Sequence, residues 1–525
     1  MPESTPVVGR WPAGWAGGSE SAEAVIAESH VTARPGVTAR PGAALSDRVR
    51  RWGPTFLAAV AVRIAYWVVV QPHWIPDSDA DQYDKIARSL ANGTGYGLQF
   101  PQIVHHPTAF RPPLLPLLLT PGHWLFGEAL WPGRLLSVIL GSTVVVLAGV
   151  LAARIGGRRA GYLAALVVMF SPPLLANDTI TLTEPLALLL GLAAILLLDE
   201  GRYLQAGFVT GLLLLTRPNG YLVVAILALW VWRKLGPRAA VALVAVAACV
   251  LVPWLVRNRV QLGTWTLNTS DGFTLAAIYA QPAQAAGTFT DPVLSPAFSD
   301  PEVRLSQFNE GEWNALLTDR AIEGITSNPG YIPQVVGSNL PAFFEIDPSR
   351  SVVAQRIDGR RLGLLPLVRP LFFLTTILGL VGLARHWRDN RVRVIAAITA
   401  QYVVLSLLLV APPRLRAPFD LACSIGLGLL LGWFADWRWP SDRTRTLRSA
   451  ERDGLGLRRG PGHLDRGPAE VAGVPTAGIA AGALVPLLPG GVTRSKSPGR
   501  VTKGGEAAGT GARGAADQHR AGQIG

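Results

Sequence analysis

Four acids crowd one short polar stretch of a largely apolar chain: Asp77, Asp79, Asp81 and Asp84. Ser78, followed by an acid three positions later, has the form of a helix start, and Asn92-Gly93 has the form of its end. On such a helix Asp79, Tyr83, Ile86, Ala87 and Leu90 share one face. A carboxylate in the first turn sits near the positive end of the helix dipole, which keeps it ionised and able to act as a base. The same acids can instead simply cap and solvate a surface helix. Asp77, Asp79 and Asp81, at alternate positions, also have the spacing that holds a divalent cation through oxygen ligands, a pattern that is weak on its own.

The cations form a second group. Arg63 interrupts the first apolar run, Arg111 opens Arg111-Pro112-Pro113, Arg217 stands between Thr216 and Pro218, and Arg414 and Arg416 share Pro412-Pro413-Arg414-Leu415-Arg416. An arginine at membrane depth costs at least about 2.5 kcal/mol, so each needs a partner. A phosphate suits the forked guanidinium, while Glu184, Asp178 and Asp420 are the acids able to pair with these arginines inside the protein. Arg257 and Asn258 close an apolar run as an interfacial anchor before a polar turn, and His105 and His106 read as surface residues. The sequence has no nucleotide-phosphate loop, nucleophile elbow, zinc-protease motif or kinase signature, so no nucleotide cofactor is expected.

The elements that must position these residues are membrane helices. The 525 residues are 49% hydrophobic and only 16% charged, too little charge to clothe a soluble globule of this size. The net charge of +13 falls in arginine-rich loops and tails, which argues for a positive-inside membrane protein and against a nucleic-acid partner. Cys249 and Cys423 both lie in apolar runs and offer no metal-ligand spacing. Apolar runs at Pro54–Val70, Leu135–Ala153, Gly161–Ala176, Thr181–Leu198, Leu204–Thr216, Tyr221–Trp232, Ala239–Val256, Leu364–Leu383, Val394–Val410 and Leu421–Phe434 give about ten spans, some short. The fold class is thus an all-α polytopic membrane protein.

Alternating the connections puts Arg154/Arg158/Arg159, Arg202, Arg233/Lys234/Arg238 and Arg385/Arg388/Arg391/Arg393 on the cytoplasmic side. Two long connections, 71–133 and 257–363, then fall outside, and the second carries amphipathic stretches at Trp313–Ile325 and Ile332–Phe344. Residues 1–47, with a tandem VTARPG repeat, read as a disordered cytoplasmic leader without a signal-peptide core, so the first span serves as an uncleaved anchor. Residues 48–434 form the membrane domain, and 435–525 a basic, largely disordered cytoplasmic tail.

Taken in order, six pieces resemble the GT-C membrane glycosyltransferases, in the branch of the dolichyl-phosphate-mannose protein mannosyltransferases and bacterial aminoarabinose transferases. They are Asp79-Ala80-x-x-Tyr83 through Gly95-Tyr96, Arg111-Pro112-Pro113-x-x-Pro116, Thr183-Glu184-Pro185, Gly207-x-x-x-Gly211 leading to Arg217-Pro218, Pro253-Trp254-x-x-Arg257-Asn258, and Arg414-x-Arg416-x-Pro418. The likeness covers about Pro54–Phe434. It departs from the usual pattern in the long basic tail and in Leu115, where many relatives place a Tyr or Gly-Tyr.

The resemblance implies transfer of a sugar from a polyprenyl-phosphate carrier to a glycan, lipid or protein acceptor at the outer face of a bacterial cell membrane. Asp79 matches the family's catalytic acid, and Arg111, Arg217, Arg414 and Arg416 are the candidates for meeting the lipid phosphate. Tyr83, Glu184, Arg257 and Asn258 serve the acceptor or the structure. A divalent cation, with Asp77, Asp79 and Asp81 as weak ligands, stays open. The competing reading is a secondary transporter or a flippase of lipid-linked sugars, which would also hold buried arginines; the absence of an internal repeat and the polar wealth of the two long connections favour surface chemistry.

Overall fold

Each of the ten apolar runs is helical over most of its length in the computed structural model, which describes residues 41–99, 106–298, 309–346, 352 and 358–438. The leader up to residue 40, His105 and the tail from residue 439 lie outside the described residues. The first helix, α1 (Pro41–Val70), begins inside the expected leader, and the last runs four residues past the expected end of the membrane domain, to Arg438. Between α1 and the bundle come α2 (Asp79–Ala91), a two-residue antiparallel pairing of Gly97–Leu98 with His106–Pro107, and α3 (Leu114–Phe126). The bundle continues with α4 (Trp131–Met169), α5 (Pro172–Asn177), α6 (Glu184–Asp199), α7 (Tyr203–Leu214), α8 (Tyr221–Leu235) and α9 (Pro237–Leu262).

Two of the expected runs, Leu135–Ala153 and Gly161–Ala176, meet in α4. Gly157 breaks it with φ 86° and ψ 174°, a conformation open to glycine and strained for other residues. The two arms fold back on each other: a Cβ on Gly161 would lie 2.6 Å from Cβ of Ala153, and one on Gly149 would lie 3.0 Å from Cβ of Ala165. After the second long connection the bundle is completed by α14 (Leu365–Arg385), α15 (Asn390–Leu408) and α16 (Ala417–Arg438). Helices α14 and α16 touch backbone to backbone, since a Cβ on Gly382 would stand 1.9 Å from the carbonyl oxygen of Gly426. Small residues give such close approach in lipid, where dispersion rather than water exclusion joins helices.

Among the described residues, six helices are long and apolar enough to cross a membrane: Arg50–Val70, Trp131–Met169, Pro237–Leu262, Leu362–Arg385, Asn390–Leu408 and Pro413–Arg438. The other runs of the expected ten are helices of 12 to 16 residues, α6, α7 and α8, together with the second arm of α4. They are bounded by the kink at Gly157 and by breaks at Thr183, at Thr216-Arg217-Pro218 and at Gly236.

Ion pairs gather the basic connections at one end of this bundle. Arg154 reaches Asp199 (3.0 Å) and Glu200 (2.5 Å), Arg391 reaches Asp199 (3.5 Å), Arg202 reaches Glu200 (3.5 Å), and Nζ of Lys234 lies 3.4 Å from the carbonyl oxygen of Asp199. Because α6 runs from Glu184 to Asp199, its first residue lies roughly 24 Å from that end.

The second long connection folds against the first. It carries α10 (Ser270–Tyr279), α11 (Gln281–Ala286), α12 (Glu310–Ser327) and α13 (Tyr331–Phe343), the last two matching the amphipathic stretches read from the sequence and parted at Asn328-Pro329. Asn309 caps α12 by accepting from the N–H of Glu312 at 2.8 Å. The fully buried Trp313 packs with Ile86 of α2, Leu98 and Phe110, so an α12 side chain fills the core beneath the first connection. Glu310 adds polar ties, accepting from the N–H of Ala109 (2.8 Å), the hydroxyl of Thr108 (2.7 Å) and the hydroxyl of Thr269.

Candidate active site

Helix α2 starts where the sequence says it should, but by another device. Ser78 makes no side-chain cap; it takes φ 52° and ψ −118°, while its N–H donates to Oδ1 of Asp77 at 2.6 Å. A non-glycine residue in that region costs of order 1–3 kcal/mol, and such strain persists where surrounding structure enforces it. The turn sets Asp79 as the first helical residue. Tyr83, Ile86 and Ala87 of the expected face are buried beneath it.

Asp79 bridges two arginines. Nη2 of Arg111 donates to Oδ1 at 2.5 Å, and Nη2 of Arg414 donates to Oδ2. Arg111 is fixed from other sides: Nε donates to Oε1 of Gln82 at 2.6 Å, its carbonyl accepts from the hydroxyl of Tyr96 at 2.9 Å, and its guanidinium lies 5.6 Å from the Tyr83 ring centre. Burial raises the Asp79 carboxyl, but Arg111, Arg414 and the more distant Arg217 outweigh it and hold the group well below the ordinary carboxylate range. Its side chain keeps 24% exposure, so a small group can still reach it. Burial pushes the Tyr83 phenol up, and it stays neutral.

Arg217 and Glu184 stand 3.5 Å apart in the lining of a largely apolar groove. Leu188, Leu192 and Ile195 of α6 line it, facing Ile395 of α15 and Leu421 and Ile425 of α16. The neighbourhood of Asp79 thus brings three cations, Arg111, Arg217 and Arg414, together beside this apolar groove, which Arg217 itself lines.

The remaining residues singled out from the sequence sit elsewhere. Arg416, two positions from Arg414, turns away into the interior: it is fully buried, donates to Asp420 (3.1 Å), Glu345 (2.8 Å) and the carbonyl of Phe343 (2.6 Å), and stacks 3.9 Å from the Phe372 ring centre. Arg63 likewise pairs with buried Asp178 at 2.6 Å. Arg257 donates to the carbonyls of Thr108 (2.6 Å) and Tyr96 (2.7 Å) and so pins the first connection to the end of α9, while Asn258 donates to the carbonyl of Thr266 (2.8 Å) and ties down the turn that follows α9. His106 contacts Glu310 at 3.1 Å.

The three alternate acids do not converge: Asp77 serves the N–H of Ser78, Asp79 spans two guanidiniums, and Asp81 pairs with Lys85 at 2.7 Å. Among the described residues no group of three or more histidines, cysteines or acids comes together as a metal site. The site also has members the sequence did not single out. Asp358, buried at 2% exposure, has Oδ1 3.4 Å from Nε of Arg414, and Asn177 lies between Arg414 and Arg360. A single acid in a connection of more than a hundred residues, without a surrounding motif, gives no signal by spacing.

A sequence model of the family described as dolichyl-phosphate-mannose-protein mannosyltransferase matches residues 110–256. That stretch holds Arg111, Glu184 and Arg217 but neither Asp79 nor Arg414, and it carries three of the six pieces that the resemblance rests on whole, the fifth in order running just past its end. No curated protein sequence matches the chain. Among solved structures, the chain is similar at 15% identity and TM-score 0.35 to ArnT from Cupriavidus metallidurans bound to undecaprenyl phosphate, over 74% of this chain and 79% of that one. At 15% identity and TM-score 0.42 it is similar to the archaeal oligosaccharyltransferase AglB from Archaeoglobus fulgidus in complex with an inhibitory peptide and a dolichol-phosphate, over 80% of this chain and 53% of that one.

Proposed function

We propose that the chain transfers a sugar from a polyprenyl-phosphate carrier to an acceptor hydroxyl, as a multi-pass protein of a bacterial cell membrane with its site on the outer side. The observation that carries this reading is the junction of three arginines and an exposed-edged carboxylate with an apolar groove: an isoprenoid chain suits the groove, and its phosphate suits the cations beside it. The mannosyltransferase match over the middle of the chain agrees with it. A lipid-linked donor also explains why no nucleotide site is needed.

In this reading Asp79 is the general base. As the acceptor oxygen bonds to the anomeric carbon, its proton passes to Asp79, and the bond from that carbon to the phosphate oxygen breaks. The electron pair leaves with the lipid phosphate, whose growing charge Arg111, Arg217 and Arg414 stabilise. Two arginines mask the base while the donor is absent. A phosphate that draws a guanidinium away raises the basicity of Asp79, so the base is released where and when the donor lies beside it.

Membranes containing the full chain, supplied one at a time with radiolabelled polyprenyl-phosphate sugars, test the activity. Movement of label from one of them into a non-prenyl product is the expected result. If no label moves while the same lipids cross the bilayer faster with the protein present, the transporter reading replaces this one.

A further inference from the structure

Glycosyl transfer as described gives Asp358 no task, yet this buried carboxylate stands against the arginine that holds the proposed base. Oδ1 faces Nε of Arg414 at 3.4 Å, and Oδ2 is buried with no hydrogen-bond partner among the described residues. Arg414 is therefore shared, with Nη2 on Asp79 and Nε toward Asp358. The other charged groups that face Asp358 are Arg360 on its own segment, Asp79 from α2 and Glu184 from α6. Arg360 is engaged by Glu345 at 3.5 Å and Asn177 at 3.4 Å.

Charge balance gives this arrangement a consequence. Arg111, Arg217 and Arg414 are matched by Asp79, Glu184 and Asp358, so the donor-free site is neutral and an incoming phosphodiester brings one negative charge too many. Asp358 is the poorly served member: Asp79 accepts two short bonds from guanidiniums, whereas Asp358 has one long contact and an unpartnered oxygen. Burial pushes Asp358 up to about 6, against the lowering pull of Arg414 and Arg360, so a modest further push suffices to protonate it near neutral pH.

We propose that Asp358 takes up a proton as the donor's phosphodiester enters, releasing Arg414 from one of its two carboxylates so that its guanidinium turns to the phosphate. Asp358 is thus a positioning residue that acts through Arg414, and donor binding is coupled to protonation. This rests on the polyprenyl-phosphate reading of the site.

The test is calorimetric binding of geranyl methyl phosphate to the full chain in detergent, in two buffers of different ionisation enthalpy. This prenyl phosphodiester keeps one negative charge through the neutral range, so any proton taken up belongs to the protein. Near neutral pH the wild-type protein should gain about one proton per ligand, and its affinity should fall by up to roughly tenfold per pH unit above pH about 6. Asp358→Asn, a neutral isostere, should bind with little pH dependence and no proton uptake. Wild-type binding without proton uptake, or an undiminished pH slope in Asp358→Asn, overturns the proposal and leaves the function standing. Failure of the wild-type protein to bind at any pH overturns the polyprenyl-phosphate reading and this inference with it.

Discussion

Two arginines that the sequence cannot tell apart have opposite environments, and this makes the sharpest comparison at the residue scale. Arg414 and Arg416 occupy one 3₁₀ turn, Pro413–Arg416, in which residues two apart point in different directions. Arg414→Gln should weaken donor binding by about 1.5–3 kcal/mol, the worth of a charge-assisted hydrogen bond, with the protein still folded. Arg416→Gln strands Glu345 and Asp420 in the interior and should cost about 3–5 kcal/mol of stability, seen as a drop in thermal midpoint in detergent. If the two variants behave alike, the division between site and scaffold drawn here is wrong. Asp79 as the candidate was legible from its place at the helix start and from the family spacing; which of two nearby arginines reaches it depends on how a 3₁₀ turn is set against its neighbours, which no spacing records.

Asp79→Asn keeps size and some hydrogen bonding but removes basicity, and it should lower turnover by roughly 10²–10⁴-fold while prenyl-phosphate binding persists. Asp81→Asn loses only a half-exposed pair with Lys85 and should alter turnover little. Single-turnover rates for the two variants, taken with and without a chelator, separate a base from a cation ligand. Parental turnover in Asp79→Asn would remove the base from the mechanism.

At the scale of elements, hydropathy located the helices and left their ends and contacts unread. The apolar runs on both sides of Gly157 and the arginines between them gave a hairpin of two helices, but not that one glycine with φ 86° would make the turn, nor that Gly149 and Gly161 would bring the arms into contact. Likewise the small residues of α14 and α16 look unremarkable in sequence, and become constraints once Gly382 stands against the Gly426 carbonyl. A Gly382→Leu substitution must push the helices apart, and overpacking of this kind typically costs about 1–3 kcal/mol or more. Because α16 also carries groove residues Leu421 and Ile425, prenyl-phosphate affinity should fall together with thermal stability. A Leu at Gly337 of α13, an exposed position where an added Cβ meets nothing within 4 Å, is the control and should leave stability and affinity close to parental.

On the scale of the whole molecule, the argument from charge and the argument from contacts meet. Alternating the connections put four basic clusters on one side, and Asp199 and Glu200 draw arginines or lysine from those clusters together at one end of the bundle. Asp79, Arg111, Arg217 and Arg414 lie at the end where α6 begins, not where it finishes. An even count of crossings between two points would have been lost by any missed helix, so this agreement comes from the pattern as a whole rather than from one run. With both native cysteines, Cys249 and Cys423, replaced, a single cysteine at Ser78 should react in sealed cells with a membrane-impermeant maleimide. One at Ser449 in the basic tail should react only after the membrane is opened. Inverted labelling would move the site to the cytoplasmic face, and labelling of both positions in sealed cells would require an even number of crossings between them.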